Sequence, residues 1–215
     1  MKKRNLRTFF ISICFLAAFF LWTAAVCFVD IRAIGPLHSS VGFAAINGAF
    51  HRFTGVHLAM YLLTDWLSLI PLGFVIGFAL LGLKQWIQRK SLLQVDFDLL
   101  VLGGFYLVVL TCYALFEIAI VNYRPVLING ILEASYPSST TMLVLCVMPT
   151  AIMQLRSRIK NAECRRCIFL ICFAFSAFMV IGRLFSGVHW LSDIIGGALL
   201  SKGLVLLYAA ISGLK

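Results

Sequence analysis

Charged residues are scarce in this sequence: Asp, Glu, Lys and Arg make up only 12% of its 215 residues. Soluble domains average roughly 25% charged residues, so this low proportion excludes an ordinary water-soluble protein. Hydrophobic residues reach 62%, and the mean hydropathy is +1.01. The apolar residues occur in long blocks separated by short polar clusters, as expected of helices that cross about 30 Å of hydrocarbon.

The sequence also lacks a disulfide framework and a metal-binding motif. Most of its seven cysteines lie inside apolar blocks, where a free thiol behaves as a small hydrophobic side chain. Cys164 and Cys167 form a C-x2-C pair in a basic segment, but no second pair is present to complete a zinc site. We therefore expect neither a metal nor another cofactor.

The apolar blocks predict six transmembrane helices, and hence an all-α bundle that forms a single integral membrane domain over residues 1–215. The segment 35–66 is less apolar and is predicted to be a loop with an interfacial or partly buried helix. The expected spans lie at about 8–29, 67–83, 99–121, 139–155, 168–183 and 188–210.

The net charge of +10 reports membrane topology, because the basic residues lie between the apolar blocks and not along one soluble face. Nucleic acid is therefore not an expected partner. Thirteen Lys and Arg residues fall on the side of the N-terminus and four on the other side. Since short cytoplasmic loops retain positive charge, we expect a multi-pass plasma-membrane protein with both termini in the cytoplasm. The segments 30–66, 117–140 and 183–193 would face outward.

The most informative stretch runs from Gly182 to Asp193, at the outward end of the fifth span. If the sixth helix begins near Val188, His189 and Asp193 lie four residues apart on one helical face. A carboxylate that accepts the imidazole N–H leaves the other nitrogen as a nucleophile or base. Arg183 can present its guanidinium to the same pocket, where it suits phosphate. Alternatively, these residues only anchor helices at the interface.

Two further polar segments lie on the same predicted side of the membrane. Asn122-Tyr-Arg-Pro125 ends the third span, and Tyr136-Pro-Ser-Ser-Thr-Thr141 opens the fourth. Hydroxyls and free backbone N–H groups at a helix N-terminus form an anion site. The three segments together predict an active-site pocket at the extracytoplasmic face, built from the ends of spans three to six.

The order and spacing of these segments resemble the type 2 phosphatidic acid phosphatase and haloperoxidase superfamily, whose motifs read K-x6-R-P, P-S-G-H and S-R-x5-H-x3-D. The resemblance covers about residues 55–210, with the motifs inside 117–193. In this chain the motifs are Glu117-x6-Arg124-Pro125, Pro137-Ser138-Ser139-Thr140 and Gly182-Arg183-x5-His189-x3-Asp193.

The resemblance implies a metal-independent phosphatase that acts on a membrane lipid phosphate or diphosphate. His189 would attack phosphorus to give a phosphohistidine intermediate, and Asp193 would orient the imidazole. The phosphate oxygens would be held by Arg124, Arg183, Ser138 and Ser139.

Two positions depart from the family pattern. Glu117 replaces the lysine of the first motif, and Thr140 replaces the histidine that protonates the leaving group. A threonine hydroxyl cannot serve as a general acid near neutral pH. The acid would then come from Glu117 or from His51 or His57.

The same two departures leave two alternatives open. A leaving group that needs no acid, such as the phosphate released from a polyprenyl diphosphate, would make the missing histidine unimportant. Loss of the acid would otherwise leave a pseudoenzyme that binds lipid phosphate head groups. A transporter or scaffold is a further alternative, but a transporter is expected to place its ionisable residues in mid-span.

Overall fold

The structure is a computed structural model and describes residues 3–214 of the chain. Within these residues the backbone is helical, and strand-like pairing is confined to isolated bridges in loops. This confirms the predicted all-α fold. The helices are α1 (Lys3–Phe28), α2 (Ala44–Thr54), α3 (Leu58–Leu67), α4 (Leu69–Arg89), α5 (Phe97–Ile118), α6 (Ser139–Arg158), α7 (Ala162–Phe185) and α8 (Leu191–Ser212), with single 3-10 turns at Pro36–His38 and Leu92–Gln94.

Six helical segments are long and apolar enough to cross a bilayer. They contain between 20 and 32 residues, and at a rise of about 1.5 Å per residue even the shortest spans about 30 Å. The segments are α1, α3 together with α4, α5, α6, α7 and α8. The six predicted spans are thus confirmed, and the chain is an integral multi-pass membrane protein.

The second span differs from the prediction, because it begins at Leu58 and not near residue 67. Its first part is α3, which is separated from α4 by a short break at Ser68. The segment 35–66 resembled a loop in sequence because it is less apolar and carries Gly35-Pro36, three histidines, Arg52 and Asp65. In the fold Thr64 is buried against Arg183, and Asp65, whose side chain is 56% exposed, lies 3.7 Å from Arg183 Nη2. The remainder of the predicted loop contains α2, the expected short helix.

Helices α6 and α8 form the centre of the bundle. In the most apolar 18-residue stretch of each span, 56% of the residues are buried in α6 and 61% in α8, against 6% in the span formed by α3 and α4. Helix α1 packs closely along α8, where a Cβ added at Gly203 would lie 2.7 Å from the Leu16 side chain. The two central helices begin at the same end of the bundle. The second motif lies at the start of α6, and the third motif extends from the end of α7 to the first turn of α8.

The connection between α5 and α6 is anchored at this end by a buried tyrosine. The Tyr136 ring stacks on Phe19, with 6.3 Å between the ring centres, and its hydroxyl lies 2.7 Å from Thr23 Oγ1. On the other side it contacts Gly196 of α8 so closely that a Cβ there would lie 2.6 Å from the ring. These contacts hold residues 134–138 against the beginning of α8.

The turn between α7 and α8 is held by the segment that follows α2. Gly187 has a φ of +71°, and a Cβ at this position would lie 2.1 Å from the carbonyl oxygen of Gly55. The backbone N–H of His57 donates to the carbonyl of Ser186 at 3.0 Å, and His51 Nε2 lies 3.1 Å from the carbonyl oxygen of Gly187. The turn that leads to His189 is therefore fixed by contacts from outside the family motifs.

Candidate active site

His189 lies in the bend between α7 and α8, before the first residue of α8. The expectation that α8 starts near Val188, with His189 and Asp193 on one helical face, is wrong. The imidazole is buried, and its Nδ1 lies 3.1 Å from the carbonyl oxygen of Ser135 and 3.2 Å from Ser135 Oγ. A carbonyl only accepts, so Nδ1 carries the proton and Nε2 keeps a free lone pair.

Asp193 occupies the first turn of α8 and is completely buried. Its Oδ2 accepts the backbone N–H of Trp190 at 2.9 Å and also the hydroxyl of Ser135. This oxygen lies 3.8 Å from His189 Nδ1, which is an ion-pair distance and too long for a hydrogen bond. Ser135 therefore lies between the two residues and connects them, since its hydroxyl is within reach of both.

Three further polar side chains surround Asp193. Asn122 Nδ2 donates to Asp193 Oδ1 at 3.3 Å, and the Ser192 hydroxyl also lies 3.3 Å from it. Asn47 of α2 donates to Ser192 Oγ at 2.9 Å and accepts the Ser192 backbone N–H at 3.1 Å. A buried carboxylate is stable only when it is hydrogen-bonded. This network supplies those bonds and holds α2 against α8.

Arg124 projects into the site from the connection between α5 and α6. Its backbone N–H donates to the carbonyl of Glu133 at 3.0 Å, which pairs the two halves of this connection. The side-chain Nε lies 3.0 Å from Glu133 Oε2, but its N–H does not point at the carboxylate, so the contact is an ion pair without a hydrogen bond. The buried Nη1 has no partner among the described residues.

Arg183 lies at the end of α7 and is 2% exposed. Its Nη1 donates to Thr64 Oγ1 at 3.2 Å and to the carbonyl of Tyr61 at 3.3 Å, and its Nη2 lies 3.7 Å from Asp65 Oδ1. The buried Nε has no partner within residues 3–214. Helix α3 thus holds one edge of the guanidinium and leaves a donor free.

The two arginines meet at one aromatic ring. The guanidinium carbon of Arg183 lies 4.7 Å from the centre of the Tyr61 ring, and that of Arg124 lies 5.9 Å from it. Both guanidinium groups therefore lie within the cation–π range, about 6 Å, of a single side chain of α3. The fold brings together residues from α3, α7 and the connection before α6.

The electrostatic environment keeps His189 neutral. Burial is the main cause that lowers the pKa of His189 to about 4, and the positive charges of Arg124 and Arg183 act in the same direction. The nearby Asp193 carboxylate opposes them. Nε2 of this neutral ring is buried and has no partner among residues 3–214. A nucleophilic nitrogen thus lies in the field of two cations whose own N–H donors are partly free.

A long apolar groove leads from this site along the bundle. It has a volume of about 870 Å³ and runs between α4, α5 and α6. Asp65, Ser139 and Thr140 line its end near the site, whereas Trp86 and Leu92 line it near the opposite end of the helices. Its walls are otherwise mostly apolar, so the groove suits a hydrocarbon chain attached to a polar group at the site.

The described part of the chain, residues 3–214, contains no cluster of three or more His, Cys, Asp or Glu residues that could hold a metal ion. Cys164 and Cys167 are free and exposed at the start of α7, at the end of the bundle opposite the site.

Comparison with known proteins identifies the family. The sequence profile of the PAP2 superfamily matches residues 104–214, slightly more than half of the chain. The chain belongs to the PAP2 superfamily. Its fold is similar to that of the first transmembrane PAP2 type phosphatidylglycerolphosphate phosphatase from Bacillus subtilis, with a TM-score of 0.54, 20% sequence identity and 93% of each chain covered. No curated protein sequence matches the chain.

The second PAP2 motif caps helix α6. Ser138 Oγ accepts the backbone N–H of Thr141 at 3.5 Å, and the Ser138 N–H donates to the backbone carbonyl of Asp193 at 3.1 Å. The hydroxyl of Ser138 is thus engaged as a cap, and its contact with phosphate stays a prediction. Ser139 is half-buried and lines a cavity of about 10 Å³ that His189 also lines.

The two divergent PAP2 positions lie on different sides of the site. Glu117 is exposed at the end of α5 and lines the same small cavity as His189 and Ser139. Thr140 is buried and lines the apolar groove. A cavity of this size has room for about one water molecule.

The two histidines considered as replacement acids are engaged elsewhere. His51 Nε2 lies 3.1 Å from the carbonyl oxygen of Gly187, and its ring contacts Trp190 with 5.4 Å between the ring centres. His57 Nε2 lies 2.9 Å from the carbonyl oxygen of Thr54. Both side chains support the segment next to the site, and neither lines the cavity that contains His189.

Sequence reasoning assigned no role to five residues that shape this PAP2 site. All five act through contacts with residues more than 50 positions away, which a local motif cannot encode. Their only signal was a polar side chain next to a motif or within an apolar block. These residues are Asn47, Tyr61, Thr64, Asn122 and Ser135.

Proposed function

We propose that this chain hydrolyses a phosphate group on a membrane lipid through nucleophilic attack by His189. The observation that carries the proposal is a set of buried polar atoms that lack hydrogen-bond partners among residues 3–214: Nε2 of His189, Nε and Nη1 of Arg124, and Nε of Arg183. Buried polar atoms are normally satisfied. A phosphate bound between the arginines would accept their N–H bonds and present its phosphorus to the imidazole.

The reaction has two steps. Nε2 of His189 forms a bond to phosphorus while the bond to the leaving oxygen breaks, and that oxygen keeps the electron pair. Water then attacks the phosphohistidine, the P–N bond returns its electrons to Nε2, and inorganic phosphate leaves. The Nδ1 proton stays on the ring, held by the Ser135 carbonyl, and Asp193 stabilises the positive charge that the ring carries in between.

The apolar groove supports a lipid as the carrier of the phosphate. Because it opens next to Thr140 and continues to Trp86, a hydrocarbon chain can lie in it while the head group stays at the arginines. The groove of about 870 Å³ lies between membrane-spanning helices, so the chain of a lipid can enter it from the bilayer. The proposed substrate is therefore a lipid phosphate or diphosphate.

The leaving group narrows the choice between these substrates. Thr140 has no acidic proton near neutral pH, so an alkoxide that leaves from a phosphate monoester would lack its usual proton donor. When a lipid diphosphate is attacked at its terminal phosphorus, the leaving group is the lipid monophosphate, which is stable without a proton donor. We therefore favour a lipid diphosphate such as a polyprenyl diphosphate, with Glu117 as the residue best placed to supply a proton through the small cavity.

Threonine at position 140 also favours a second candidate, a pseudoenzyme that binds lipid phosphate head groups. General acid catalysis contributes about 10²–10⁴-fold, so its loss can abolish turnover while the arginines still bind phosphate. Glu117 also favours the pseudoenzyme, because it places a negative charge where the family motif has a lysine that attracts phosphate.

Phosphate release by the purified protein in detergent separates the candidates. We expect release from polyprenyl diphosphate and much less from phosphatidate, with the release abolished in His189→Asn. His38→Asn is the matched control, because His38 is exposed, lies outside the site and has a φ of 60°, which asparagine tolerates. Equal rates on both lipids would contradict the leaving-group argument, and binding without release from either lipid would favour the pseudoenzyme.

We also propose that the site faces away from the cytoplasm, because most basic residues lie at the opposite end. A membrane-impermeant thiol reagent applied to intact cells tests this orientation. Cys164 and Cys167 should be protected until the membrane is opened, whereas a cysteine introduced as Ile131→Cys, which is 63% exposed near the site, should react at once. The reverse pattern would refute the orientation.

A further inference from the structure

Tyr61 has an unusual position, because its ring contacts both phosphate-binding arginines. The ring centre lies 4.7 Å from the guanidinium carbon of Arg183 and 5.9 Å from that of Arg124. The backbone carbonyl of Tyr61 also accepts a hydrogen bond from Arg183 Nη1 at 3.3 Å. Tyr61 belongs to α3, outside residues 104–214 where the family profile matches.

Two guanidinium groups near the same ring repel each other when the site is empty. The carboxylates that pair with them lie on separate elements and are partly exposed: Glu133 pairs with Arg124, and Asp65 pairs with Arg183. Each carboxylate holds one arginine and does nothing to bring the pair together. An aromatic face attracts cations through its negative quadrupole, and the attraction is larger where water is excluded. Tyr61 is the side chain that attracts both at once.

We propose that Tyr61 is a positioning residue whose aromatic face holds Arg124 and Arg183 together as a preformed phosphate clamp. The inference rests on the proposed function, because it assigns the same two arginines to phosphate. The ring and not the hydroxyl is the active part, since the Tyr61 hydroxyl makes no hydrogen bond within residues 3–214 whereas the ring contacts both cations. Preorganisation of this kind lowers the cost of binding without adding a contact to the ligand.

A second residue of α3, Thr64, also holds Arg183 in place. Thr64 Oγ1 accepts from Arg183 Nη1 at 3.2 Å one helical turn after Tyr61, and Gly182 contacts both Thr64 and Met60. Helix α3 therefore packs its polar face on the end of α7 at the point where Arg183 leaves that helix. Movement of α3 would displace Tyr61 and Arg183 together.

Tyr61→Phe and Tyr61→Leu test the inference, because phenylalanine keeps the ring and leucine removes it. Inorganic phosphate serves as the probe: its affinity is measured by calorimetry on the purified protein, and KM and kcat are measured from phosphate release. We expect Tyr61→Phe to behave like the wild type. Tyr61→Leu should weaken phosphate affinity and raise KM by about tenfold, with a smaller change in kcat.

Trp66→Leu is the matched control, since Trp66 is an aromatic residue of the same helix that is 71% exposed. It should leave phosphate affinity unchanged. If Tyr61→Leu unfolds, a ring-fluorinated phenylalanine at position 61 replaces it, because fluorine weakens the negative face at nearly constant shape. Phosphate affinity should then fall with the degree of fluorination.

Unchanged phosphate affinity in Tyr61→Leu, or in the fluorinated series, would overturn the inference and leave the proposed function intact. An equal loss of affinity in Tyr61→Phe would assign the role to the hydroxyl and also overturn it. A protein that releases no phosphate from any lipid would end the proposed function, but the calorimetric comparison of Phe and Leu would still decide the role of Tyr61.

Discussion

Replacement of Asp193 by asparagine gives the sharpest test of how the site works. In the proposed reaction the imidazole of His189 becomes positively charged when Nε2 bonds to phosphorus. The Asp193 carboxylate lies 3.8 Å from Nδ1 and is completely buried, so water screens this interaction poorly. Asparagine has nearly the same shape and carries no charge. The substitution therefore removes the stabilising charge and leaves Arg124 and Arg183, the proposed phosphate ligands, in place.

The size of the effect follows from the distance. Two unit charges about 4 Å apart interact with about 4 kcal/mol at an effective dielectric constant of about 20. Each 1.36 kcal/mol on the barrier changes the rate about tenfold, so Asp193→Asn should lower kcat by about a thousandfold. KM should change little, because in the proposed reaction the phosphate contacts come from Arg124 and Arg183.

The same substitution also affects stability. Asp193 accepts hydrogen bonds from Trp190, Ser135 and Asn122, and the asparagine amide has to turn its NH₂ group toward some of these donors. One unsatisfied buried donor costs about 1–3 kcal/mol, so we expect a lower melting temperature of a protein that still folds.

The assay is phosphate release in detergent, measured together with the melting temperature of each variant. Asp96→Asn serves as the control, because Asp96 pairs with Arg89 at the other end of the bundle. A folded Asp193→Asn protein with a kcat within tenfold of the wild type would refute the role of Asp193 in charge stabilisation. A loss that appears only in KM would do the same.

Three further predictions concern pH, a missing acid and a turn. Because the pKa of His189 is lowered to about 4, kcat/KM should stay level as pH falls through 6.5 and decline only near pH 4. The unfolded chain takes up the His189 proton near pH 6.5, so the melting temperature should fall between about pH 6.5 and 4, and His189→Asn should reduce this dependence. Thr140→His, which places an imidazole beside the groove, should raise phosphatidate hydrolysis by about 10²-fold if the missing acid limits the rate, and an unchanged rate would contradict this interpretation. Gly187→Ala should destabilise the protein by at least about 1–3 kcal/mol in thermal unfolding, because a Cβ there meets Gly55 at 2.1 Å, whereas Gly77→Ala in open space on α4 should not.

The prediction of the spans succeeded where the signal was local. A block of about 20 apolar residues has one stable form in a bilayer, so composition and block length were sufficient to place six helices. The second span was placed too late because the polar residues between 35 and 66 were interpreted as one loop. In the fold the end of this segment belongs to the span, and its residues Thr64 and Asp65 contact the buried Arg183, which a local pattern cannot reveal.

The prediction of the site also succeeded for the residue types, which a local motif encodes, and failed for their geometry. Motif spacing selected His189, Asp193, Arg124 and Arg183, and all four are buried in the fold. The two arginines lie near Tyr61, whereas His189 and Asp193 lie near Ser135. The local geometry of His189 and Asp193 was wrong, because the helix starts two residues after His189 and not one before it.

The sequence by itself determined that the chain is embedded in a bilayer, how many spans it has and which residues form the proposed phosphate site. Each of these depends on a local pattern of apolar blocks or short motifs. The tertiary structure decided how the site is held. Ser135 connects His189 to Asp193 across 54 and 58 positions, and Tyr61 reaches Arg183 across 122. Contacts over such separations depend on how the helices pack, and packing is a property of the whole chain.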